Sequence, residues 1–174
     1  MSKSKVMYPE FICTPFVGKQ RFTVEMAKDL LGWEEVKDGE EFHLRDRERR
    51  KIRLCNNSTN RPFRIGLCRR YISEMLRGKW ALNGETIVID RLGKIQSGQH
   101  RLVALVLGEQ ERLEDTEKWK EYGWKGPVTI EIIVVKGISD APEVVNTLDQ
   151  GQKRSLGDVI YRDERFKDKK LTAK

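Results

Sequence analysis

The sequence is poor in the residues that build metal and redox centres. Its 174 residues include three cysteines, two histidines and five prolines. Cys13, Cys55 and Cys68 are widely spaced and contain no Cys-x-x-Cys pair, so neither a disulfide framework nor a zinc site is expected. The two histidines, His43 and His100, are too few for a histidine-rich metal centre. We therefore predict no protein-bound metal.

Long apolar runs are also missing. The longest, such as Ile130 to Val135, are interrupted or far shorter than the ~20 residues that cross a bilayer. The N-terminal residues do not combine a positive start with an apolar segment, as a secretory signal would. These absences predict a cytoplasmic protein with no membrane partner.

Charge is abundant and has an excess of one sign. Hydrophobic residues make up 38% of the chain and charged residues 35%, which allows one core but a highly charged surface. Thirty-four basic residues oppose 27 acidic ones, for a net charge of +7. A polyanionic partner is consistent with this excess.

The excess is concentrated in one stretch. Residues 45–70 contain ten lysines or arginines and only two acidic residues. Clustered cations suit phosphate backbones, so we predict sequence-independent DNA contact here. The alternative is a solvated charged helix. The predicted DNA-binding residues are Arg45, Arg47, Arg49, Arg50, Lys51 and Arg53.

Hydrophobic periodicity predicts an α+β fold with a small mixed sheet and surrounding helices. Residues 1–22 are expected to form an N-terminal arm, irregular or with a short strand, residues 23–162 the domain, and residues 163–174 a charged tail or the start of a further helical region. Within the domain, the predicted helices begin at Thr23, Arg64, Gln99 and Ser155, and the predicted strands lie at 86–90, 95–96 and 127–136. Gly32, Gly78 and Gly108 are expected to end the first three helices.

The segment Gly98-Gln99-His100-Arg101 lies between a predicted hairpin and a predicted helix start. Glycine allows close backbone approach, and a helix N-terminus favours an anion. Arg101 can grip a phosphate with two hydrogen bonds, and His100 can donate a hydrogen bond or move a proton. The four residues are therefore candidates for phosphate binding. The alternative is an ordinary strand–helix turn with a surface arginine and a half-buried histidine.

Two further stretches are candidates for the same cleft. Lys153 and Arg154 precede Ser155, a predicted helix cap, so this box suits a second anion contact; alternatively it is a tight turn with solvated cations. Arg61, in Asn60-Arg61-Pro62, is a candidate phosphate ligand, although Pro62 also suits the first turn of a helix. We predict that the Gly98–Arg101 segment and the Lys153–Ser155 segment face one another and hold one triphosphate between them.

Four boxes in order resemble those of the ParB/sulfiredoxin-like superfamily, in particular uncharacterised phage and bacterial ParB-like proteins. The boxes are Asn60-Arg61-Pro62, Gly78-Lys79-Trp80, Gly98 to Leu102, and Asp149 to Ser155. The resemblance covers about residues 56–160. It implies a ParB/sulfiredoxin-like fold and a bound nucleotide, since ParB proteins bind CTP, and sulfiredoxins and a serine kinase bind ATP or ADP, at the corresponding box.

The box also departs from its relatives. ParB proteins carry Glu-Arg-Arg where this chain has Gln99-His100-Arg101, and sulfiredoxin has a catalytic cysteine where this chain has Gln99. Sulfinic-acid repair is therefore not expected. The resemblance implies a domain of a bacterial or phage-infected cell that binds ATP or CTP, with Mg²⁺ on the phosphates, and acts with DNA. His100 and Arg101 are the predicted catalytic residues of any hydrolysis. A metal-dependent DNA nuclease and a non-catalytic interaction module are the alternatives.

Overall fold

A computed structural model describes residues 15–56, 63–82, 84–122 and 126–140. It shows a mixed α+β architecture, as predicted. In chain order the elements are β1 (Phe16–Phe22), α1 (Val24–Leu31), β2 (Trp33–Glu35), β3 (Leu44–Arg45), β4 (Lys51–Leu54), α2 (Ile65–Leu76), β5 (Thr86–Asp90), β6 (Ile95–Ser97), α3 (Gln99–Glu114), α4 (Thr116–Glu121) and β7 (Ile130–Ile138).

The strands form two small sheets. The first has the order β1-β7-β5-β6, with β7 antiparallel to β1 and parallel to β5. The second has the order β2-β4-β3 and is antiparallel throughout. The N-terminal arm, expected to be irregular or to hold a short strand, contributes the strand Phe16–Phe22 to the first sheet, paired along its whole length with β7.

Local capping signals explain α1. The Thr23 side chain accepts a hydrogen bond from the Met26 N–H, and Gly32 ends the helix in the left-handed region with φ of 59°. The Asn56 side chain joins the end of α1 to the turn between β5 and β6, because its amide donates to the carbonyl oxygens of Leu30 and Gly93 at 2.7 and 2.9 Å.

Helix α3 is the centre of the core. From Gln99 to Gly108 every residue except His100 is buried, and the helix packs against both α1 and α2. The prediction that Gly108 ends this helix is wrong, since α3 continues to Glu114. Beyond Gly108, Glu109 forms an ion pair with Arg112 within α3 and accepts a hydrogen bond from the Val128 N–H at 2.8 Å. These contacts stabilise the part of the helix that follows the glycine.

Candidate phosphate-binding site

Gly98 forms the turn from β6 into α3. Its φ is +98°, a conformation that favours glycine. A Cβ atom at this position would lie 2.9 Å from Ile87 Cγ1 and 3.1 Å from Ile87 Cα. The glycine is therefore required where the turn presses against β5, and this packing accounts for it without a ligand.

His100 lies where the N-termini of α2 and α3 meet. Its Nε2 accepts a hydrogen bond from the Arg64 N–H at 3.0 Å, and its ring stacks on Phe63 with centroids 5.1 Å apart. The Cys68 thiol donates to the His100 carbonyl oxygen at 3.2 Å. These contacts bring together the positive ends of two helix dipoles.

Burial makes Cys68 a structural residue at this junction. Burial raises the pKa of the Cys68 thiol to about 12, so the thiol stays protonated at neutral pH.

The hydrogen bond from the Arg64 N–H also assigns the tautomer of a neutral His100 ring, because Nε2, as the acceptor, carries no proton. In a neutral ring Nδ1–H is then the donor.

Arg101 points into the protein. The residue is 9% exposed, and its guanidinium donates to the Thr86 carbonyl oxygen at 2.9 Å and forms an ion pair with Glu85. It also lies 5.7 Å from the centre of the Tyr71 ring. The surface arginine of the alternative interpretation is thus wrong. In this conformation Arg101 joins α3 to the start of β5, and a phosphate would compete with Glu85 for it.

One donor of Arg101 is unsatisfied. Its Nε is buried and has no hydrogen-bond partner among the described residues. A buried unpaired N–H costs free energy that an additional acceptor would recover. Gln99 is also buried, with only 3% of its surface exposed. Of the four predicted box residues, Gly98 and His100 are therefore partly exposed, and Gln99 and Arg101 are buried.

Part of the predicted site lies outside the described residues. This applies to Arg61, Lys153, Arg154 and Ser155, so the facing of the two boxes stays a prediction. Phe63, which stacks on His100, was not among the residues predicted from the sequence. The available signal was an aromatic residue directly after the proline that precedes α2.

The acidic residues Glu85 and Asp90 do not belong to a carboxylate cluster among the described residues. Asp90 is fully buried at the end of β5, where it accepts hydrogen bonds from the N–H groups of Leu92 and Lys94. Glu85 binds Arg101. Within residues 15–56, 63–82, 84–122 and 126–140, no three histidine, cysteine, aspartate or glutamate side chains are grouped so as to hold a metal ion.

The first part of the basic stretch, which holds the six predicted DNA-binding residues, forms the β-hairpin of β3 and β4 and not a helix, whereas the part from Ile65 onwards lies in α2. Four of the six predicted DNA-binding residues form ion pairs there. Arg47 pairs with Glu111, Lys51 with Asp38, Arg50 with the buried Asp46, and Arg53 with Glu34 and Glu40. These carboxylates neutralise much of the local excess of positive charge.

Arg45 and Arg49 differ from the other four cations. Both are exposed, and neither forms an ion pair with a carboxylate of the described residues. Arg45 donates to the Arg49 carbonyl oxygen and lies over the Phe42 ring at 4.9 Å. A shallow groove of about 630 Å³ beside them is lined by both signs of charge, including Glu35, Asp38 and Arg50.

The hairpin is expected to make stability depend on pH through His43. Its Nδ1 accepts a hydrogen bond from the Leu54 N–H at 2.9 Å, and desolvation lowers the pKa of the ring. The unfolded chain then binds more protons between this lowered pKa and about 6.5. Stability therefore falls as the pH drops from 7 through this range.

Urea denaturation at pH 7.0 and 5.5 measures this effect. The His43→Gln variant should lose less stability between the two pH values than the unchanged protein, because it lacks the titrating ring. An equal loss in both proteins would show that the contribution of His43 is negligible.

In the described part of the chain, no helix has the length and apolar character needed to span a bilayer. Comparisons of the chain with protein-family models, with curated proteins and with solved structures find no match.

Proposed function

We propose that this chain is a nucleotide-binding domain of ParB/sulfiredoxin-like fold that takes the phosphates of ATP or CTP at the joined N-termini of α2 and α3. The observation that carries the proposal is the hydrogen bond between His100 Nε2 and the Arg64 N–H, because it holds the two helix starts side by side. Two positive dipole ends favour a polyanion more than one does.

The order of elements supports the same proposal. A hairpin of β5 and β6 leads through Gly98 into α3, which is the arrangement that the resemblance of the Gly98 box implies. Arg64 is exposed at the first turn of α2, beside His100. The buried Nε of Arg101 adds a donor that an incoming phosphate would satisfy.

Each residue then has a distinct task. His100 orients the start of α2 through Nε2 and can donate from Nδ1 to a phosphate oxygen. Arg101 would neutralise phosphate charge after exchanging Glu85 for the ligand. Since the described residues do not group three carboxylates into a metal site, Mg²⁺ would bind together with the phosphates of the nucleotide.

Thermal unfolding in the presence of ATP, CTP, GTP or UTP, with and without Mg²⁺, tests the proposal. A ligand that binds only the folded state stabilises it by about 2.7 kcal/mol at a hundredfold excess over its Kd. We expect ATP or CTP to raise Tm, and the Glu85→Gln variant to bind that nucleotide about tenfold more tightly. The reason is that Glu85 no longer competes for Arg101 or repels the phosphates.

Glu131→Gln is the matched control. Glu131 is also a half-exposed glutamate in an ion pair, with Lys19 at 3.0 Å, but it belongs to the β1–β7 side of the sheet. Its loss should leave nucleotide affinity unchanged. If no nucleotide raises the Tm of the unchanged protein or of Glu85→Gln, the domain is an interaction module. Metal-dependent nicking of plasmid DNA that His100→Ala abolishes would instead establish the nuclease.

A further inference from the structure

The outer face of α2 carries a group of cations that differs from those of the hairpin. Cys68, Ile72 and the Met75–Leu76 pair face the core. On the exposed side lie Arg69, Arg70 and Arg77, followed by Lys79 just after the helix. We call these four residues the α2 arginine face. Arg69 and Arg70 lie within α2, Arg77 is its C-cap residue, and Lys79 lies beyond it.

These cations are not neutralised within the described part of the chain. None of the four side chains has a carboxylate at ion-pair distance there, whereas Arg47, Arg50, Lys51 and Arg53 of the hairpin all do. Glu74 is the single acidic residue of α2. A cation without an internal partner contributes its full charge to the field outside the protein.

Aromatic rings hold two of the guanidinium groups at the surface. Arg70 lies 5.6 Å from the centre of the Tyr71 ring, and Arg77 lies 5.9 Å from that of Tyr122. Cation–π contacts of this kind leave the N–H donors at the guanidinium edge available. The groups are therefore partly ordered before a ligand arrives, which lowers the entropic cost of binding.

Two guanidinium groups of the face lie in one row along α2. Arg70 and the C-cap residue Arg77 are seven residues apart, so they lie on one side of the helix about 10.5 Å from each other along its axis. A duplex carries one phosphate charge per ~1.7 Å of its axis, so a row of this length meets several phosphates. Gly66 and Ser73 lie on the same side, and their small side chains allow a backbone to approach closely.

We propose that the α2 arginine face binds the phosphate backbone of a nucleic-acid duplex without reading its sequence. The face uses none of the residues of the nucleotide site and does not rest on that proposal. It replaces the paired cations of the β3–β4 hairpin as the main contact with the polyanion. Guanidinium groups bind phosphates with pairs of hydrogen bonds, and a duplex offers a dense, continuous run of phosphates, so the duplex is the better match.

Fluorescence anisotropy with a labelled 20-base-pair DNA duplex between 50 and 200 mM salt tests this interface. We expect Arg70→Gln/Arg77→Gln to weaken binding at least tenfold at 50 mM salt and to reduce the slope of log K against log salt by about 2. Lys51→Gln/Arg53→Gln removes the same charge from paired positions and should change the slope much less. Arg70→Lys/Arg77→Lys should keep most of the slope.

Two outcomes would overturn the interface. One is an unchanged affinity and salt slope in Arg70→Gln/Arg77→Gln whose circular dichroism matches that of the unchanged protein. The other is competition by polyglutamate as strong as that by duplex DNA at equal charge, which would indicate an acidic protein as the partner. A parallel titration with an RNA duplex identifies which nucleic acid is preferred. Nucleotide-induced shifts in Tm are a separate measurement, so either proposal can fail alone.

Discussion

Replacing Gly98 with alanine is expected to lower the free energy of unfolding by about 2–6 kcal/mol. The new Cβ would lie 2.9 Å from Ile87 Cγ1 and 3.1 Å from Ile87 Cα, so a strand backbone would have to move. A φ of +98° is also strained for any residue with a side chain. Overpacking and strain each contribute about 1–3 kcal/mol. Urea denaturation followed by circular dichroism measures the difference.

Gly66→Ala is the matched control for this experiment. Gly66 lies in the first turn of α2 and is exposed, and a Cβ atom added there would meet no atom of the described residues within 4 Å. Alanine there should stabilise the protein by roughly 0.5–1 kcal/mol, because glycine is the poorer helix former. Similar effects of the two substitutions would mean that the close approach of Gly98 to β5 does not exist in solution.

Asp90→Ala is expected to cost on the order of 3 kcal/mol. The carboxylate accepts from the N–H groups of Leu92 and Lys94 at 2.8 and 2.9 Å, and from Gln96 Nε2 at 2.7 Å. Alanine leaves these donors without that acceptor in a partly buried turn, at about 1–3 kcal/mol for each group that water does not reach. The hairpin that leads to Gly98 should loosen as a result. Denaturation curves and amide hydrogen exchange of Leu92 and Lys94 measure both effects.

Asp90→Asn separates hydrogen bonding from charge. The asparagine oxygen can still accept from the two backbone N–H groups, and the Gln96 amide can rotate to accept from the new NH₂ group. We expect this variant to keep most of the stability that Asp90→Ala loses. If both variants were as stable as the unchanged protein, the carboxylate would not hold the turn.

Elements with local signals were predictable from the sequence. The Thr23 cap and the Gly32 stop lie at the ends of an apolar stripe, and α1 begins and ends where they indicate. The α2 stripe of Cys68, Ile72 and Met75 was equally clear. In both helices the information lies within a dozen neighbouring residues.

Elements that depend on distant partners were not predictable. Arg45, Arg50 and Arg53 lie in a charged run whose apolar alternation is limited to Ile52 and Leu54, too short to indicate a strand by itself. The two edges of β4 are paired by β2 and β3, and the acidic residues Glu34 and Asp38 form ion pairs with cations of the run. Pairing across such a turn depends on register, which local periodicity does not reveal.

The candidate site was predictable in its location but not in its contacts. Glycine before a helix start indicated the turn at Gly98. The contact of Arg101 with Glu85 depends on how α3 lies against the start of β5, and the contact of His100 with Arg64 depends on how α2 and α3 pack. Both contacts depend on how the helices are placed, and a short sequence motif carries no information about that placement.

The pairing of β1 with β7 delays the completion of the first sheet during synthesis. β1 is made before its partner, which begins at Ile130, more than a hundred residues later in the chain. At ~5–20 residues per second, the ribosome needs on the order of ten seconds to supply it. During that interval β1 is an unpaired strand, of the kind that joins other chains. Lys19 and Arg21, which bind Glu131 in the folded protein, give β1 two positive charges before β7 is made. Repulsion between these charges disfavours pairing of β1 strands from two nascent chains.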